Sequence, residues 1–194
     1  MTSIFPEGLK IYWRMLRGAL GAIIYRNPSK KLKIIGVTGT SGKSTTANMI
    51  YHMLDNSGFK TGVISTVGAR VGDVSVDTGL HVTTPNPINL QKLLKVIAQK
   101  GAEYVVIETS SQALAQRRIY PIKFDYAVFT NITRDHLDWH KTWENYARAK
   151  ARLIDLLRPN GRVILNRDDD SYNFLGKYAK DCGKEDLVVS YSKA

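Results

Sequence analysis

A glycine-rich turn between a predicted strand and a predicted helix constrains this chain more than any other feature. The strand is KIIGVT at 33–38, the turn continues as GTSGKS, and a helical stretch begins at Thr45. Such a turn presents backbone N–H groups and a helix N-terminus to an anion, so this order is typical of phosphate binding. Val37 stands where the usual P-loop pattern, G-x-x-x-x-G-K-[ST], has its first glycine. The sequence therefore predicts a phosphate-binding loop of a different type.

Beyond this loop, strand-like and helix-like patterns alternate. Apolar runs rich in β-branched residues predict strands at 61–66, 103–108, 125–131, 162–166 and 187–191. Residues 70–77 are interpreted as a hairpin-like excursion, and apolar spacing predicts helices at 89–99 and 143–157. Strands that alternate with helices form parallel sheets covered on both faces. We therefore predict an α/β fold, with a P-loop-containing, mostly parallel sheet flanked by helices on both faces.

An amphipathic helix precedes the sheet. One face of this helix is apolar and is formed by Leu9, Trp13, Leu16, Leu20 and Ile23. Another face is basic and is formed by Lys10, Arg14 and Arg17. The helix could dock on the body of the protein or on a missing partner domain, or it could rest on an anionic membrane. We assign residues 1–32 to this helix and its linker, and residues 33–194 to the α/β domain.

Charge and composition narrow the partners and the compartment. A formal net charge of +11 favours acidic partners such as nucleotides, nucleic acid or anionic lipid. No nucleic-acid-binding motif accompanies that charge, so we predict no nucleic-acid partner. Cys182 is the only cysteine, which excludes an internal disulfide and indicates a reducing compartment. No apolar run is long enough to span a membrane and no export signal begins the sequence, so we expect a cytoplasmic protein.

Polar clusters follow three of the predicted strands. GTSGKS follows the first strand, ETSS ends the third clear one, and TNITRDH ends the fourth. In a parallel sheet the carboxyl ends of the strands share one edge, and ligands bind there. We therefore expect the three clusters to meet in one site.

The residue types in these clusters fit ATP and magnesium chemistry. Lys43 would reach the β and γ phosphate oxygens, and the Ser44 hydroxyl would ligate Mg²⁺. Glu108 ends an apolar strand, where a carboxylate is costly unless it is paired or bound to a metal, so it is a candidate Mg²⁺ ligand. His136 is either a capping or core histidine or a metal or phosphate contact. Lys150 lies in an arginine-rich helix, a pattern that favours a solvated surface position.

Five motifs, in this order, resemble the central ATPase domain of the Mur ligase family. They are GVTGTSGKSTT, HVTTPNP, IETSSQALAQRR, FTNITRDHLDWH and YARAKARL, and the resemblance covers about residues 33–180. The similarity is greatest to the members that add the third amino acid of the peptidoglycan peptide. The phosphate loop of this family is typically T-G-T-N-G-K-[ST], so Val37 is ordinary there and Ser41 replaces the commoner asparagine.

The resemblance assigns roles to residues by position. The residues that match catalytic positions are Lys43, Glu108, Asn131, His136 and Lys150. The residues that match the ATP phosphate site are Gly39, Thr40, Ser41, Gly42, Lys43, Ser44 and Thr45. The residues that match contacts to the UDP-muramoyl-peptide are Thr83, Thr84, Ser110, Gln116 and Arg118. The residues that match Mg²⁺ ligands are Ser44, Glu108 and His136, together with Lys150, which family members carbamylate.

The resemblance also implies a reaction. ATP would phosphorylate the carboxylate of the UDP-muramoyl-peptide, and the amine of an incoming amino acid, lysine or diaminopimelate, would attack the acyl phosphate. ATP and Mg²⁺ are the implied cofactors, and a carbamylated lysine would hold the second Mg²⁺. The amide bond forms as phosphate leaves.

Two other interpretations stay open. Folylpolyglutamate synthase and cyanophycin synthetase share the loop and the fold with this family. A non-catalytic nucleotide-binding module, held at the membrane by the basic N-terminal helix, is the alternative from a different functional class. The N-terminal and C-terminal domains of the family have no counterpart in this sequence, so we expect ligation to require the missing C-terminal region.

Overall fold

An eight-stranded sheet forms the centre of the computed structural model, which describes residues 6–72, 74–76, 83–135 and 137–193. Its strands are β1 (Lys33–Thr38), β2 (Thr61–Ser65), β3 (Gly68–Val71), β4 (Val74–Val76), β5 (Tyr104–Glu108), β6 (Phe124–Phe129), β7 (Leu157–Asn166) and β8 (Val188–Tyr191). They lie in the order β4-β3-β2-β5-β1-β6-β7-β8. The turn that follows β1 therefore lies between the ends of β5 and β6.

The pairing of the strands brings three carboxyl ends to one edge. β1 pairs in parallel with β5, with Lys33 opposite Tyr104 and Val37 opposite Glu108, and in parallel with β6 on its other side. The β2–β5, β6–β7 and β7–β8 pairs are also parallel, whereas β2–β3 and β3–β4 are antiparallel. The chain crosses from one side of β1 to the other between β5 and β6. Sheets of this kind bind ligands outside the strand ends at such a crossing point.

Helices connect the strands over the described residues. They are α1 (Glu7–Ile24), α2 (Lys43–Asn56), α3 (Pro87–Gln99), α4 (Ser111–Ala115), α5 (Leu137–His140), α6 (Trp143–Asp155) and α7 (Tyr172–Asp181). Side chains cap two of the longer ones: Asn86 Oδ1 accepts from Asn89 N, and Thr142 Oγ1 accepts from Asn145 N. These contacts satisfy N–H groups that have no partner inside the helix.

The two faces of the sheet carry separate apolar cores. On one face, α2 packs through Ala47 and Tyr51 against a small core that includes Val37. On the other face, α3, α6 and α7 cover a larger core that includes Leu94 and Phe124. Each fully buried side chain of this size contributes roughly 1.5–3 kcal/mol relative to exposure. The larger core is therefore the main source of apolar stabilisation.

The predicted α/β fold class, a mostly parallel sheet between helices, is confirmed. The strand predicted at 33–38 has the observed bounds, and the hairpin predicted at 70–77 corresponds to β3 and β4. α2 begins at Lys43, two residues earlier than predicted, because Gly42 adopts a left-handed conformation as its N-cap. Among the described residues, no helix has both the length and the apolar character that a membrane span requires.

The N-terminal helix docks through the face opposite to its large apolar residues. Gly18, Gly21 and Ala22 are buried, and a side chain at Gly18 would overlap the carbonyl oxygen of Tyr120. Small residues therefore allow α1 to approach α3 closely, and the large side chains point outward. The apolar residues of the predicted face are exposed: Leu9, Trp13, Leu16, Leu20 and Ile23. The helix thus docks on the body of the protein, as one interpretation predicts, but through the face opposite to its large apolar residues.

Candidate nucleotide and metal site

The turn after β1 is held in place by the segment that follows β6. Thr40 N donates to Asn131 O at 2.7 Å, and Ser41 N donates to Asn131 Oδ1 at 2.9 Å. Asn131 Nδ2 donates to Ser41 O at 3.1 Å, and Thr130 Oγ1 donates to the same oxygen at 2.8 Å. Asn131, predicted to lie near the reacting phosphate, thus uses its side-chain amide to hold the loop. These four hydrogen bonds hold the loop against the segment that follows β6.

The two glycines of the loop are needed for different reasons. A Cβ at Gly39 would overlap Thr130 Oγ1 and lie 3.1 Å from Asn131 O, so the loop passes too close for a side chain. Gly42 has φ 77°, in the left-handed region that glycine adopts without strain, and a Cβ there would meet no atom within 4 Å. Gly42 then starts α2, whose N-terminal N–H groups favour an anion.

Ser44 and Glu108 lie together beside the start of α2. Ser44 Oγ donates to Glu108 Oε2 at 2.9 Å. The same oxygen accepts from Thr66 N at 2.9 Å and from Thr66 Oγ1 at 3.1 Å. Glu108 is 1% exposed, and the β1–β5 register places it opposite Val37. A buried carboxylate is costly without donors or a cation, so these contacts are what keep it stable at this edge.

This set of oxygen atoms fits Mg²⁺. The ion prefers octahedral oxygen ligands and is usually held by one or two protein groups, with water and substrate phosphates completing the shell. The Glu108 carboxylate and the Ser44 hydroxyl supply two such groups beside a helix N-terminus that suits phosphate. Within the described ranges, no group of three or more His, Cys, Asp or Glu side chains could hold a metal alone.

Two lysines converge on the loop. Lys43 Nζ donates to Thr40 O at 2.8 Å. Lys150 Nζ donates to Gly39 O at 2.6 Å and lies 4.5 Å from the centre of the Tyr146 ring. Lys150 is 1% exposed, so the surface position that its helix pattern favours is wrong. α6 packs against β1 and brings this lysine under the loop.

The position of Lys150 changes its acid–base chemistry. Burial and, as a smaller cause, the positive charge of Lys43 together lower the pKa of Lys150 from 10.5 to about 7, and Asp135 acts in the opposite direction. A group whose pKa is close to the ambient pH is about half deprotonated. The uncharged amine of Lys150 is therefore well populated near neutral pH, and it is a nucleophile.

Sequence reasoning missed three residues that support the site. Thr66 donates twice to the Glu108 carboxylate. Tyr146 OH donates to Thr40 Oγ1 at 3.1 Å, and burial raises the pKa of Tyr146. His140 is buried beside the Tyr146 ring, with its Nε2 3.0 Å from a serine hydroxyl of α4. A threonine at a strand end and aromatic residues near a helix are too common in sequences to single out.

Comparison with known proteins identifies the family. The protein-family model described as Mur ligase middle domain matches residues 37–194 of this chain. The chain belongs to the Mur ligase family. It is similar to UDP-N-acetylmuramoyl-L-alanyl-D-glutamate--2,6-diaminopimelate ligase 1 of Clostridium acetobutylicum, with 41% identity over 180 residues, which is 93% of this chain and 36% of the relative. The corresponding ligase of Phocaeicola vulgatus is 46% identical over 152 residues, which is 78% of this chain and 31% of the relative.

Solved structures give the same result. The structure of a UDP-N-acetylmuramoyl-L-alanyl-D-glutamate--2,6-diaminopimelate ligase matches with a TM-score of 0.77 and 30% identity, over 91% of this chain and 36% of that one. FolC of E. coli in complex with DHPP and ADP matches with a TM-score of 0.67 at 20% identity, over 96% of this chain and 51% of that one, a likeness of fold alone. This Mur ligase chain spans 31–36% of the length of the two curated relatives.

The predicted substrate residues of the Mur ligase chain begin beside the carboxyl end of β5. Thr84 Oγ1 donates to Glu108 O at 3.2 Å and accepts from Ser110 N at 3.2 Å. Ser110 Oγ accepts from Ala113 N at 3.1 Å and so caps α4. Thr83 Oγ1 accepts from Thr66 Oγ1 at 2.9 Å, which links it to the Glu108 cluster. These hydroxyls hold the backbone at this edge, and their contact with a substrate stays a prediction.

Gln116 and Arg118 lie just after α4. Arg118 Nε donates to Gln116 Oε1 at 2.8 Å. Burial lowers the pKa of Arg118, and the nearby charge of Arg14 in α1 lowers it further. His136 lies outside the described residues, so its predicted role as a metal ligand stays a prediction.

A cavity of about 440 Å³ opens on the β6 side of the loop. It is lined by Ile132, Thr133, Arg134, Trp143, Glu144, Asp169 and Asp170. It borders the phosphate loop because Thr133 N donates to Thr40 Oγ1 at 3.0 Å. Its volume lies within the usual range for small-molecule sites, roughly 300–1,000 Å³.

Proposed function

We propose that this chain is the ATP-binding part of a ligase that adds an amino acid to UDP-N-acetylmuramoyl-L-alanyl-D-glutamate. The observation that carries the proposal is the buried Glu108 carboxylate against Ser44, beside the phosphate loop. The names of the curated relatives support the substrate, and they favour diaminopimelate over lysine as the added amino acid. The low identity to FolC gives no comparable support for a folate substrate.

The proposed mechanism assigns a task to each part of the loop. Backbone N–H groups of residues 39–45 would bind the ATP phosphates, and Lys43 would turn from Thr40 O to the γ-phosphoryl group and neutralise its developing charge. Ser44 and Glu108 would hold Mg²⁺, which when bound adds positive charge at the phosphates. The substrate carboxylate takes the γ-phosphoryl group and ADP is released. The amine nitrogen would then attack the acyl carbon, phosphate would leave with the bridging oxygen, and the nitrogen would lose one proton to give the neutral amide.

We also propose that Lys150 becomes carbamylated. The pKa of about 7 supports this, because the uncharged amine can attack CO₂ to form an Nζ–C bond with loss of one proton. The carbamate would replace a cation by an anion close to Lys43, and with His136 it would offer oxygen and nitrogen ligands to a second Mg²⁺. ¹³C NMR in labelled bicarbonate tests the proposal. A carbamate resonance that disappears in Lys150→Gln supports it, and a spectrum without that resonance contradicts it.

The two sides of the phosphate loop would hold different substrates. The cavity bordered by Thr133 lies on the β6 side and would receive the nucleoside of ATP. The UDP-muramoyl-peptide would approach from the β5 side, where Thr83, Thr84, Ser110, Gln116 and Arg118 follow each other. This division fits the sheet order, because β5 and β6 lie on opposite sides of β1.

A peripheral membrane contact through α1 is a second proposal, and it does not depend on nucleotide chemistry. The observation that favours it is the exposure of the large apolar residues of α1, such as Trp13 and Ile23. We infer a cytoplasmic location, at the inner membrane surface, because the proposed reaction consumes ATP.

Calorimetric titration with a non-hydrolysable ATP analogue tests the nucleotide proposal. In Mg²⁺, Lys43→Ala should weaken binding at least tenfold, about 1.4 kcal/mol, because a charge-assisted phosphate contact is lost. Glu108→Gln should weaken binding in Mg²⁺ but leave the affinity in EDTA nearly unchanged. Lys177→Ala, an exposed lysine of α7, is the matched control. Equal affinity in all four proteins would show that the nucleotide binds elsewhere.

A further inference from the structure

A small basic cavity lies at the C-terminal end of α1, away from the phosphate loop. Its volume is about 110 Å³, and its lining consists of Tyr25, Arg26, Pro28, Lys31, Lys95, Ala98 and Gln99. Three of these residues are cationic and none is acidic. Nucleotide and drug-sized ligands usually need roughly 300 Å³ or more, so this cavity suits a single anionic group such as a phosphate.

The cavity is built by the turn after α1. Arg26 and Asn27 have φ 60° and 50°, both left-handed, so the chain reverses sharply at the end of the helix. A short 3₁₀ helix, Pro28–Lys31, follows the reversal and packs on α3. Lys31 and Arg26 are thereby brought to the same cavity as Lys95 of α3.

An exposed apolar face of α1 leads to this cavity. We define the apolar stripe as Leu9, Tyr12, Trp13, Leu16, Leu20, Ile23 and Ile24, all of which are exposed. At 100° per residue they lie within an arc of about 120°. Tyr12, Trp13 and Ile23 are 64%, 56% and 68% exposed. The stripe ends at Ile23 and Ile24, and the next two residues of the chain, Tyr25 and Arg26, line the cavity.

The charge of this segment indicates what covers the stripe. Residues 7–31 contain six cationic residues and one acidic residue, a net charge of +5. The acidic residue, Glu7, lies 3.4 Å from both Lys10 and Arg14. A second copy of the chain would bring like charges together at the stripe. An apolar helical face with cationic residues along one flank and beyond its C-terminal end instead matches the interface of an anionic membrane.

We propose that α1 docks on an anionic phospholipid membrane, with the apolar stripe in the interface and one headgroup phosphate in the cavity of Arg26, Lys31 and Lys95. The proposal rests on the membrane contact proposed above and adds the lipid class and the site that recognises it. Docking requires no unfolding, because Gly18 and Gly21 hold α1 on α3 by the opposite face. The nucleotide site is not involved.

Co-sedimentation with lipid vesicles tests the proposal. The vesicles are phosphatidylcholine alone, or equal parts of phosphatidylcholine and phosphatidylglycerol. Arg26→Gln/Lys31→Gln/Lys95→Gln should weaken binding to the anionic vesicles more than tenfold, since each cation near the surface contributes roughly a factor of five. Leu20→Ser/Ile23→Ser should weaken binding to both vesicle types. All variants should bind the ATP analogue as the unaltered chain does, which shows that they are folded.

A charge-matched variant separates the cavity from net charge. Lys177→Gln/Lys180→Gln/Lys193→Gln removes three exposed lysines from α7 and the C-terminal segment. If the cavity variant behaves like this control, the headgroup site is overturned. If the unaltered chain binds neither vesicle, or associates with itself through the stripe, membrane docking is overturned while the nucleotide proposal stands. Inorganic phosphate that binds without vesicles and is lost in the cavity variant would make a free anion the ligand instead.

Discussion

The phosphate loop and helix α1 differ in the surroundings of their polar and apolar side chains. At the loop, Thr130, Asn131 and Glu108 are polar residues whose side chains make hydrogen bonds to neighbouring residues. At α1, a stripe of large apolar residues is exposed, and beneath the helix Gln91 is fully buried. Neither amide atom of Gln91 has a hydrogen-bond partner among the described residues.

The two regions therefore differ in whether their side chains have partners within the chain. A buried polar network with its bonds made is rigid, and it keeps the loop in one shape for a ligand. An exposed apolar stripe gains stability only when something outside the chain covers it. The side chains of the loop therefore have partners within the chain, whereas the large apolar side chains of α1 are exposed to solvent.

The largest effect that tests this comparison should be the contribution of Lys150 to the pH dependence of the free energy of unfolding. Its pKa is 10.5 in an unfolded chain and about 7 in the fold, so between these pH values the unfolded chain binds one more proton. The free energy of unfolding should therefore rise with pH across this window, by up to about 5 kcal/mol at roughly 1.4 kcal/mol per pKa unit. Below pH 7 both states bind the proton, and this contribution no longer changes.

Urea denaturation at a series of pH values, without bicarbonate, measures this dependence. Lys150→Met should flatten the slope between pH 7 and pH 10. Lys177→Met, which removes an exposed lysine, should keep the slope of the unaltered chain. Parallel curves for the unaltered chain and Lys150→Met would mean that the amine is not forced to lose its proton in the fold.

The second effect separates the two glycines of the loop. Gly39→Ala should destabilise the fold by about 3 kcal/mol, because the new Cβ displaces Thr130 Oγ1 in a packed environment. Gly42→Ala meets no atom within 4 Å, so its cost is that of a left-handed alanine alone, roughly 1 kcal/mol. Thermal unfolding of the two variants gives the difference. Equal losses would contradict the close approach of Thr130 to the loop.

A smaller effect should appear beneath α1. Gln91→Leu should stabilise the chain by about 1 kcal/mol, because it removes a buried amide that loses its bonds to water on folding. Gln99→Leu, at the exposed end of the same helix, should stay within about 0.5 kcal/mol of the unaltered chain. Chemical denaturation compares them. Destabilisation by Gln91→Leu would mean that the amide has a partner in the folded protein.

The smallest effect should come from the apolar stripe itself. Leu20→Ser/Ile23→Ser should change the free energy of unfolding by less than about 0.5 kcal/mol, because both side chains are exposed in the isolated chain. Ala22→Leu, on the buried face of the same helix, should cost about 1–3 kcal/mol through overpacking against α3. If the serine variant loses as much stability as Ala22→Leu, the stripe is packed inside the fold.

Local patterns were sufficient for the fold and the phosphate loop. The strand at 33–38, the turn and the following helix are neighbours in the chain, so their order alone predicts the anion site. Asn131 and Glu108 could be predicted from the sequence because polar residues at strand ends meet at one edge of any parallel sheet. Thr66 follows the same rule, yet a single threonine gives no signal by itself.

The positions of Lys150 and α1 depended on packing between distant elements. The sequence pattern around Lys150 predicts the helix in which it lies, but not what that helix packs against. The packing of α6 against β1 brings the amine to Gly39 O. In α1, amphipathicity identifies two faces but does not say which one docks. The face that docks carries Gly18 and Gly21, where a Cβ would overlap Tyr120 O and crowd the backbone of α3, so this face lies too close to its neighbours for larger side chains.

By itself, the sequence determined an α/β sheet with a glycine-rich turn at its edge, since propensity, periodicity and turn chemistry act over a few residues. The tertiary structure decided which side chains are buried away from water and which face solvent. It placed Lys150 in a buried position that lowers its pKa, and it left the apolar stripe of α1 uncovered. Both outcomes follow from contacts between segments far apart in the chain, and no local pattern contains them.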